Sequence, residues 1–198
     1  MYKIATVGGL AALILSVPLS MILPPSIAFE NGLIENFQVI LLLGASFCSI
    51  RLMCSKIDHS ARSFNLFCAL MFILLALREL SWGRVFYQID FDEAGPEFVG
   101  MTDYIWRTEA YGFIVLISLA MLILLIKDVP IRRLWSAPFP FSILAIILIG
   151  VILQYAGEHG YLLGKLNGQT LEELNETIIY AMQPILCLYY NNQLENMR

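Results

Sequence analysis

The sequence predicts an all-α protein, a polytopic membrane helix bundle in which residues 1–198 form a single transmembrane domain. Two observations predict this class. Hydrophobic residues make up 59% of the chain, and long runs carry no charge, which is the composition expected where the solvent is lipid. The same runs are continuously apolar rather than alternating with polar residues, which favours helices over the strands of a membrane barrel.

Six segments match the roughly 20 apolar residues that a helix needs to cross the hydrocarbon layer. The first ends at Pro24-Pro25, because proline cannot continue a helix. Lys3 and the small residues of Ser26–Ala28 resemble a signal peptide, but the long apolar core favours an uncleaved helix. The six predicted spans are residues 5–24, 33–52, 63–83, 109–126, 140–157 and 172–191.

The longest predicted loop, residues 85–107, mixes acids such as Asp90, Asp92 and Glu93 with aromatic residues. This mixture is typical of a segment that lies in the membrane interface or caps a helix bundle. The acids do not have the glycine and the later glutamate of an EF-hand calcium loop.

Lysine and arginine predict the orientation, because they are enriched on the cytoplasmic side of membrane proteins. The segments on the same side as the N-terminus hold Lys3, Arg51, Lys56, Arg62, Lys127, Arg132, Arg133 and Arg198. The segments on the other side hold only Arg78, Arg84, Arg107 and Lys165. We therefore expect both termini in the cytoplasm of a multi-pass membrane protein.

The acidic residues have the opposite distribution. Of the sixteen, all except Asp58, Asp128 and Glu195 fall on the predicted outer side. Charge near lipid is costly and tends to mark function, so the sequence predicts an acidic pocket that opens outward. Its predicted residues are Glu30, Glu35, Arg78, Glu79, Gln154, Glu158, His159, Glu173, Glu176, Tyr180 and Gln183.

Helical spacing extends this pocket into the bilayer. Gln154 lies one turn from Glu158, and Glu176, Tyr180 and Gln183 follow one face of the last span. Structural roles are the alternatives for several of the acids. Thr170 with Glu173 fits a capping box, and Glu30 and Glu35 suit a helix start. Arg78 and Glu79 could pair with each other or with neighbouring helices, and a partner elsewhere is preferred because neighbouring positions on a helix do not face each other.

Glu158, His159 and Glu176 are the candidate ligands for a divalent metal ion, since carboxylate oxygens with one imidazole nitrogen suit hard or borderline ions. A ferritin-like di-iron centre requires two Glu-x-x-His pairs, and only one histidine lies on this side. The chain has no His-Glu-x-x-His, Gly-x-Ser-x-Gly or Walker sequence. The four cysteines form no CxxC pair and are interpreted as apolar fillers.

The segment Arg78–Arg84 resembles a signature, Glu-Glu-Ile-Ser-Trp-Gly-Gln at a helix end, of a group of small uncharacterised bacterial membrane proteins. The helix start at Asn31–Gln38 also resembles that group. Arg78 stands where the first glutamate is usual, Arg84 replaces the glutamine, and Thr102–Phe113 has no histidine where the group often carries one. The resemblance implies a bacterial inner-membrane location and no established activity.

Three functions remain open. The preferred one is a binding or accessory role, in which the pocket holds a cation, a polar lipid head group or a basic segment of a partner. The second is a metal-assisted hydrolase or transferase acting on a lipid-linked substrate, and the third is a small cation- or proton-coupled transporter, for which the cytoplasmic half offers little beyond Asn65. Membrane lipid and another membrane protein are the expected partners, and a pI near 5.1 argues against nucleic acid.

Overall fold

The computed structural model describes residues 2–56, 58–92 and 95–196. Arg198 and Glu93, which the sequence assigned to the cytoplasmic tail and the outer loop, lie outside the described residues. The described chain is mostly helical, as predicted. Its helices are α1 (Tyr2–Ile22), α2 (Leu33–Ser55), α3 (His59–Glu79), α4 (Arg107–Lys127), α5 (Ile131–Ser136), α6 (Phe141–Glu158) and α7 (Gly164–Asn196).

Five of these helices are long and apolar enough to cross a membrane. They are α1, α2 together with the 3-10 turn Pro25–Ala28 that precedes it, α3, α4 and α6. The last helix, α7, contains the sixth predicted span but is not among the five. Its glutamates, asparagines and glutamines lower its hydropathy below that of the others.

The predicted outer loop, residues 85–107, contains regular secondary structure. It holds a short antiparallel hairpin, β1 (Gln88–Asp92) and β2 (Gly95–Phe98), in which Gln88 faces Phe98 and Asp92 faces Gly95. A 3-10 helix, Ser81–Phe86, connects α3 to this hairpin. The all-α prediction therefore agrees with the mostly helical chain and with five of the six predicted spans, and it misses this small sheet.

Two helix boundaries also differ from the prediction. Helix α3 ends at Glu79 rather than at residue 83, because Ser81 and Trp82 adopt left-handed φ values of 45° and 59° that cannot continue a right-handed helix. Helix α7 begins at Gly164 rather than at residue 172. Thr170 and Glu173 consequently lie inside the helix, and the predicted capping box does not form.

The chain divides into two compact units. Unit 1 comprises the described residues of Met1–Gln38 and Phe139–Tyr189, and unit 2 those of Val39–Pro138 and Tyr190–Arg198. In unit 1, α1 packs on α6 around a core formed by Leu13, Ile143, Ile146, Ile178 and Met182. In unit 2, α3 packs on α4, and the Ser46 hydroxyl of α2 donates to the Ala69 carbonyl of α3 at 3.1 Å.

Glycine allows α6 and α7 to approach closely within unit 1. A Cβ atom on Gly157 would lie 2.6 Å from the Gly168 carbonyl oxygen and 2.8 Å from the Glu172 nitrogen. Only a residue without a side chain fits between two backbones at this distance. This close contact therefore sets the position of the acidic turns of α7 along the end of α6.

Burial runs opposite to hydropathy in this protein. No side chain of α7 is exposed from Asn167 to Asn191, although α7 is the most polar of the long helices. Helix α4 has a single buried residue, Ile117, and its exposed side chains are mainly aliphatic and aromatic. Apolar residues outside and polar residues inside are the arrangement expected of a bundle in lipid, where polar groups must be satisfied internally.

Candidate functional site

The candidate site is a row of polar side chains on one face of α7 in unit 1. We call this row, together with the α2 glutamine that contacts it, the polar stripe. Positions separated by three or four residues lie on adjoining parts of a helix face, so consecutive members of the row are neighbours, although its two ends are about 20 Å apart along the helix. The polar stripe consists of Gln38, Thr170, Glu173, Glu176, Thr177, Tyr180 and Gln183.

Gln38 joins α2 to the polar stripe. Its side-chain amide is fully buried and donates from Nε2 to the Glu173 carboxylate oxygen Oε2 at 3.1 Å and to the Thr177 hydroxyl at 3.0 Å. The same nitrogen lies 3.1 Å from the main-chain oxygen of Glu173, which also accepts from the Thr177 hydroxyl at 2.9 Å. One neutral amide thus orients a buried carboxylate across two helices.

Glu176 and Tyr180 form the next turn of the polar stripe. The Tyr180 hydroxyl donates to Glu176 Oε1 at 2.9 Å, and both side chains are buried. The spacing of four residues predicted that these side chains would share a face, and the hydrogen bond shows that they meet. A phenol donor holds the Glu176 carboxylate in one orientation without neutralising its charge.

Several polar side chains in the interior of unit 1 are not fully satisfied. Four buried side-chain oxygens have no hydrogen-bonding partner among the described residues, and all four belong to unit 1: Gln38 Oε1, Thr170 Oγ1, Asn175 Oδ1 and Gln183 Oε1. Three of them are amide carbonyls, which can only accept. An unsatisfied buried polar atom costs about 1–3 kcal/mol, so a hydrogen-bond donor or a cation at any of these oxygens would stabilise the unit.

Asn175 lies off the polar stripe, on the side of α7 that faces α1. Its Nδ2 donates to the Leu171 carbonyl at 2.7 Å and to the Ser16 hydroxyl at 3.3 Å. Its orphaned oxygen therefore belongs to the α1–α7 contact rather than to the carboxylates. The polar stripe itself holds the other three orphaned acceptors.

Glu158 and His159 end α6 on an exposed surface instead of entering this interior. The His159 ring lies between Tyr155 and Tyr161, with ring centroids 4.2 and 5.5 Å away, and its Nδ1 is 3.0 Å from the Tyr155 carbonyl. Glu158 is 4.0 Å from His159, at the limit of an ion pair. Gln154, one turn before Glu158, is half-buried.

The predicted metal-ligand set is not assembled. Among the described residues, no three or more His, Cys, Asp or Glu side chains are grouped so that they could hold a metal ion. Glu158 and His159 are exposed at the end of α6, whereas Glu176 is buried on α7 and bonded to Tyr180. A histidine-containing metal centre therefore has no structural support here.

Glu35 stabilises the start of α2. Its Oε2 accepts from the Asn31 main-chain N–H at 2.6 Å, and the Asn36 amide donates to the carbonyls of Asn31 and Gly32 at 2.9 and 2.8 Å. Asn31 has a left-handed φ of 59°, which this residue type tolerates. The structural alternative thus fits Glu35 well, and Glu30, in the preceding turn, is half-buried.

Arg78 and Glu79 belong to unit 2, at the end of α3. The Glu79 side chain is buried, the Arg78 side chain is half-exposed, and Arg78 Nε lies 3.8 Å from Glu79 Oε1. The two neighbours are within ion-pair distance of each other, which is the structural alternative that the sequence left open. The convergence of these residues with the acids of unit 1 stays a prediction.

Sequence reasoning missed Gln38, Thr170, Asn175 and Thr177. A signal for Gln38 existed, because a glutamine inside an apolar run predicted to span a membrane is costly unless it has an inward partner. Thr170 was interpreted as a cap, and Asn175 was not singled out as a pocket residue. Both are fully buried.

Comparison with known proteins gives no match for this chain, whether among protein-family models, curated proteins or solved structures.

Proposed function

We propose that this chain is a multi-pass protein of the bacterial inner membrane that binds a cation through the polar stripe. A polar lipid head group and a basic partner segment are the rival occupants, since they too would supply donors or positive charge. The observation that carries the proposal is that three buried side-chain oxygens without a partner among the described residues, Gln38 Oε1, Thr170 Oγ1 and Gln183 Oε1, lie along the same row of side chains as two buried carboxylates. The Gln38 amide contacts one of these carboxylates, that of Glu173, directly.

The chemistry of these atoms favours a hard cation. Amide carbonyls, hydroxyls and carboxylates are all oxygen ligands, and oxygen ligands select Na⁺, Ca²⁺ or Mg²⁺ over copper or zinc. Such a site contains few ionisable ligands, so it differs from the histidine-containing set that the sequence suggested. Ion sites in membrane helices are commonly built from carbonyl oxygens of this kind.

The proposal includes the finer topology. With α7 as a sixth span, both termini are cytoplasmic and the acid-rich turns of α7 lie in the outer leaflet, in agreement with the lysine and arginine distribution. The buried polar residues of α7 do not prevent a membrane span, because they are shielded from lipid by the other helices. The resemblance of Arg78–Arg84 to bacterial membrane proteins supports the inner-membrane location.

Thermal unfolding in detergent tests the proposal. A ligand that binds only the folded state raises the melting temperature in proportion to the logarithm of its concentration above Kd. We expect one of the three salts NaCl, CaCl₂ and MgCl₂ to raise the melting temperature more than the other two at matched ionic strength. Glu176→Gln should remove that response and keep the fold, because glutamine preserves the shape of the side chain.

Two further variants separate a ligand role from a structural one. Gln183→Met removes an orphaned acceptor and keeps the length of the side chain, so the ion-free protein should be as stable as wild type or more stable while the salt response falls. Glu97→Gln changes an exposed carboxylate of β2 and should leave the response intact. Equal responses of all four proteins to every salt would refute a cation site in the polar stripe.

One observation supports the second candidate function, a small cation- or proton-coupled transporter. Unit 2 contains a buried polar pair in which Asn65 Nδ2 donates to Asn191 Oδ1 at 2.7 Å. Asn191 lies nearer the C-terminal end of α7 than any residue of the polar stripe. Uptake of the stabilising cation into proteoliposomes, abolished by Glu176→Gln, would favour transport over binding alone.

A further inference from the structure

A cavity in unit 2 has a lining unlike that of the polar stripe. Its volume is about 290 Å³, near the lower end of the range for ligand pockets, about 300–1,000 Å³. It lies between the end of α3, the 3-10 helix and the first turns of α4. Four aromatic side chains and one carboxylate supply most of its wall: Trp82, Tyr104, Trp106, Phe113 and Glu109.

Contacts outside the cavity hold two of the four rings. Tyr104 is buried and packs edge-to-face on Tyr87, with ring centroids 5.4 Å apart and ring planes at 72°. The Trp106 indole donates from Nε1 to the Tyr87 hydroxyl at 3.0 Å. Tyr87 therefore orients both neighbours, and this part of the aromatic wall is preorganised.

The backbone that carries Trp82 is held in an uncommon conformation. Ser81, Trp82 and Gly83 all have positive φ, at 45°, 59° and 93°. A Cβ atom on Gly83 would lie 2.7 Å from the Tyr104 hydroxyl oxygen, so that ring can reach its position only over a glycine. Strained positive-φ residues of this kind cluster at ligand sites, and here they place an indole in the cavity wall.

Charge in the lining has one sign. Glu109 is the one ionisable acid or base among the described residues that line the cavity, apart from the phenol of Tyr104. Aromatic faces attract cations through the ring quadrupole, and aromatic boxes with a carboxylate recognise ammonium groups with organic substituents. A small, strongly hydrated inorganic ion would gain little from rings that cannot replace its water shell.

We propose that this cavity binds an organic ammonium group, either the head group of an ammonium-bearing phospholipid or a free amine of the same chemistry. The site is independent of the polar stripe, because none of its residues belongs to that stripe. Trp82 and Trp106 are the residue type that prefers the membrane interface, which is the depth at which lipid ammonium groups lie.

Tryptophan fluorescence tests this site directly. The chain has three tryptophans, and Trp135 of α5 is 83% exposed, so Trp135→Phe leaves only the two indoles of the cavity as reporters. Titration of this protein in detergent with tetramethylammonium chloride should give a saturable change that NaCl at equal ionic strength does not. Glu109→Gln, an exposed and therefore well-tolerated change, should weaken binding by about fivefold or more.

Phe113→Leu should weaken tetramethylammonium binding similarly, since it removes one ring. The controls are Glu97→Gln, a matched carboxylate in β2, and Phe47→Leu, an exposed ring of α2. No saturable change, or the same Kd in Glu109→Gln and Glu97→Gln, would overturn the proposal. In nanodiscs, a higher apparent Kd with phosphatidylethanolamine than with phosphatidylglycerol alone identifies the lipid as the ligand source, and an equal Kd identifies a free amine.

Discussion

The side-chain amide of Gln38 in α2 donates to the carboxylate of Glu173 in α7, with 3.1 Å between Nε2 and Oε2, and neither side chain is exposed. This contact between residues distant in the sequence fixes how the polar stripe is presented in unit 1. It satisfies the donor of Gln38, whose carbonyl oxygen has no partner among the residues that the structure describes. One side chain therefore both builds the site and contributes an acceptor to it.

Replacing Gln38 with leucine should destabilise the protein. The Glu173 carboxylate and the Thr177 hydroxyl would each lose a hydrogen bond between helices, and such bonds contribute about 0.6–1.7 kcal/mol each within membranes. We expect a loss of about 1–3 kcal/mol of unfolding free energy in detergent. Gln88→Leu, at an exposed position of β1, is the control and should change stability by less than about 0.5 kcal/mol.

Tyr180→Phe should destabilise by about 1–2 kcal/mol, since it removes the donor to Glu176 and leaves a buried carboxylate oxygen less well satisfied. The same substitution in a Glu176→Gln background should cost less. The coupling energy of this double-mutant cycle, measured from denaturation midpoints, reports the hydrogen bond itself. Additive losses would mean that the two side chains do not interact.

Gly157→Ala should be among the most damaging single-methyl changes in the chain. The new Cβ would meet the main chain of α7 at 2.6–2.8 Å, and backbone cannot move aside as a flexible side chain can. A loss of about 1–3 kcal/mol is expected for overpacking of this kind. Gly8→Ala in α1, where no atom lies within 4 Å of the new Cβ, should instead be neutral or stabilising. Similar melting temperatures for both variants would contradict the close crossing of α6 and α7.

Thr170→Val tests whether the orphaned hydroxyl is a defect or a ligand. Valine has the same shape and removes a fully buried oxygen that has no partner among the described residues. In ion-free buffer the variant should be more stable by about 1 kcal/mol, because a desolvated polar atom disappears. If the hydroxyl is a ligand, the salt-dependent rise in melting temperature should shrink at the same time. A large loss of stability without ions would show that the hydroxyl has a structural partner.

Reporter fusions test the topology. A reporter at the C-terminus should be active only in its cytoplasmic form, and one inserted in the hairpin after Asp90 only in its periplasmic form. Insertion at Asp90 affects an exposed strand outside the helices, so it should leave the bundle intact. A cytoplasmic signal from the hairpin would contradict the proposed topology, in which the acidic turns of α7 lie in the outer leaflet.

The helices were predictable because continuous apolar runs have only one stable structure in lipid. Their ends were less so. Nothing in the sequence of Ser81 and Trp82 indicates a left-handed conformation, which depends on the packing of Tyr104 against Gly83. Residues 164–171 are polar and glycine-containing, as in a loop, yet they extend α7 because Gly157 and Gly168 let the two backbones meet.

The polar stripe was predictable from the sequence only in part. The spacing of Glu176, Tyr180 and Gln183 put them on one face of a helix, and this follows from helical periodicity alone. Which partner each side chain meets is a tertiary property, so Gln38 could not be paired with Glu173 from the sequence. Glu158 and His159 were placed in the pocket because they end a predicted span. A side chain at a helix end can also lie on the protein surface, and both of these are exposed.

Direct binding of the cation is the measurement that tests the central claim. Isothermal titration calorimetry of the purified protein with NaCl, CaCl₂ and MgCl₂ should show saturable binding for at least one salt. Glu176→Gln and Gln183→Met should abolish or weaken that binding, and Glu97→Gln should not. Heats no larger than those of dilution for every salt, or binding that survives both polar-stripe substitutions, would contradict the assignment of a cation site to the interior of unit 1.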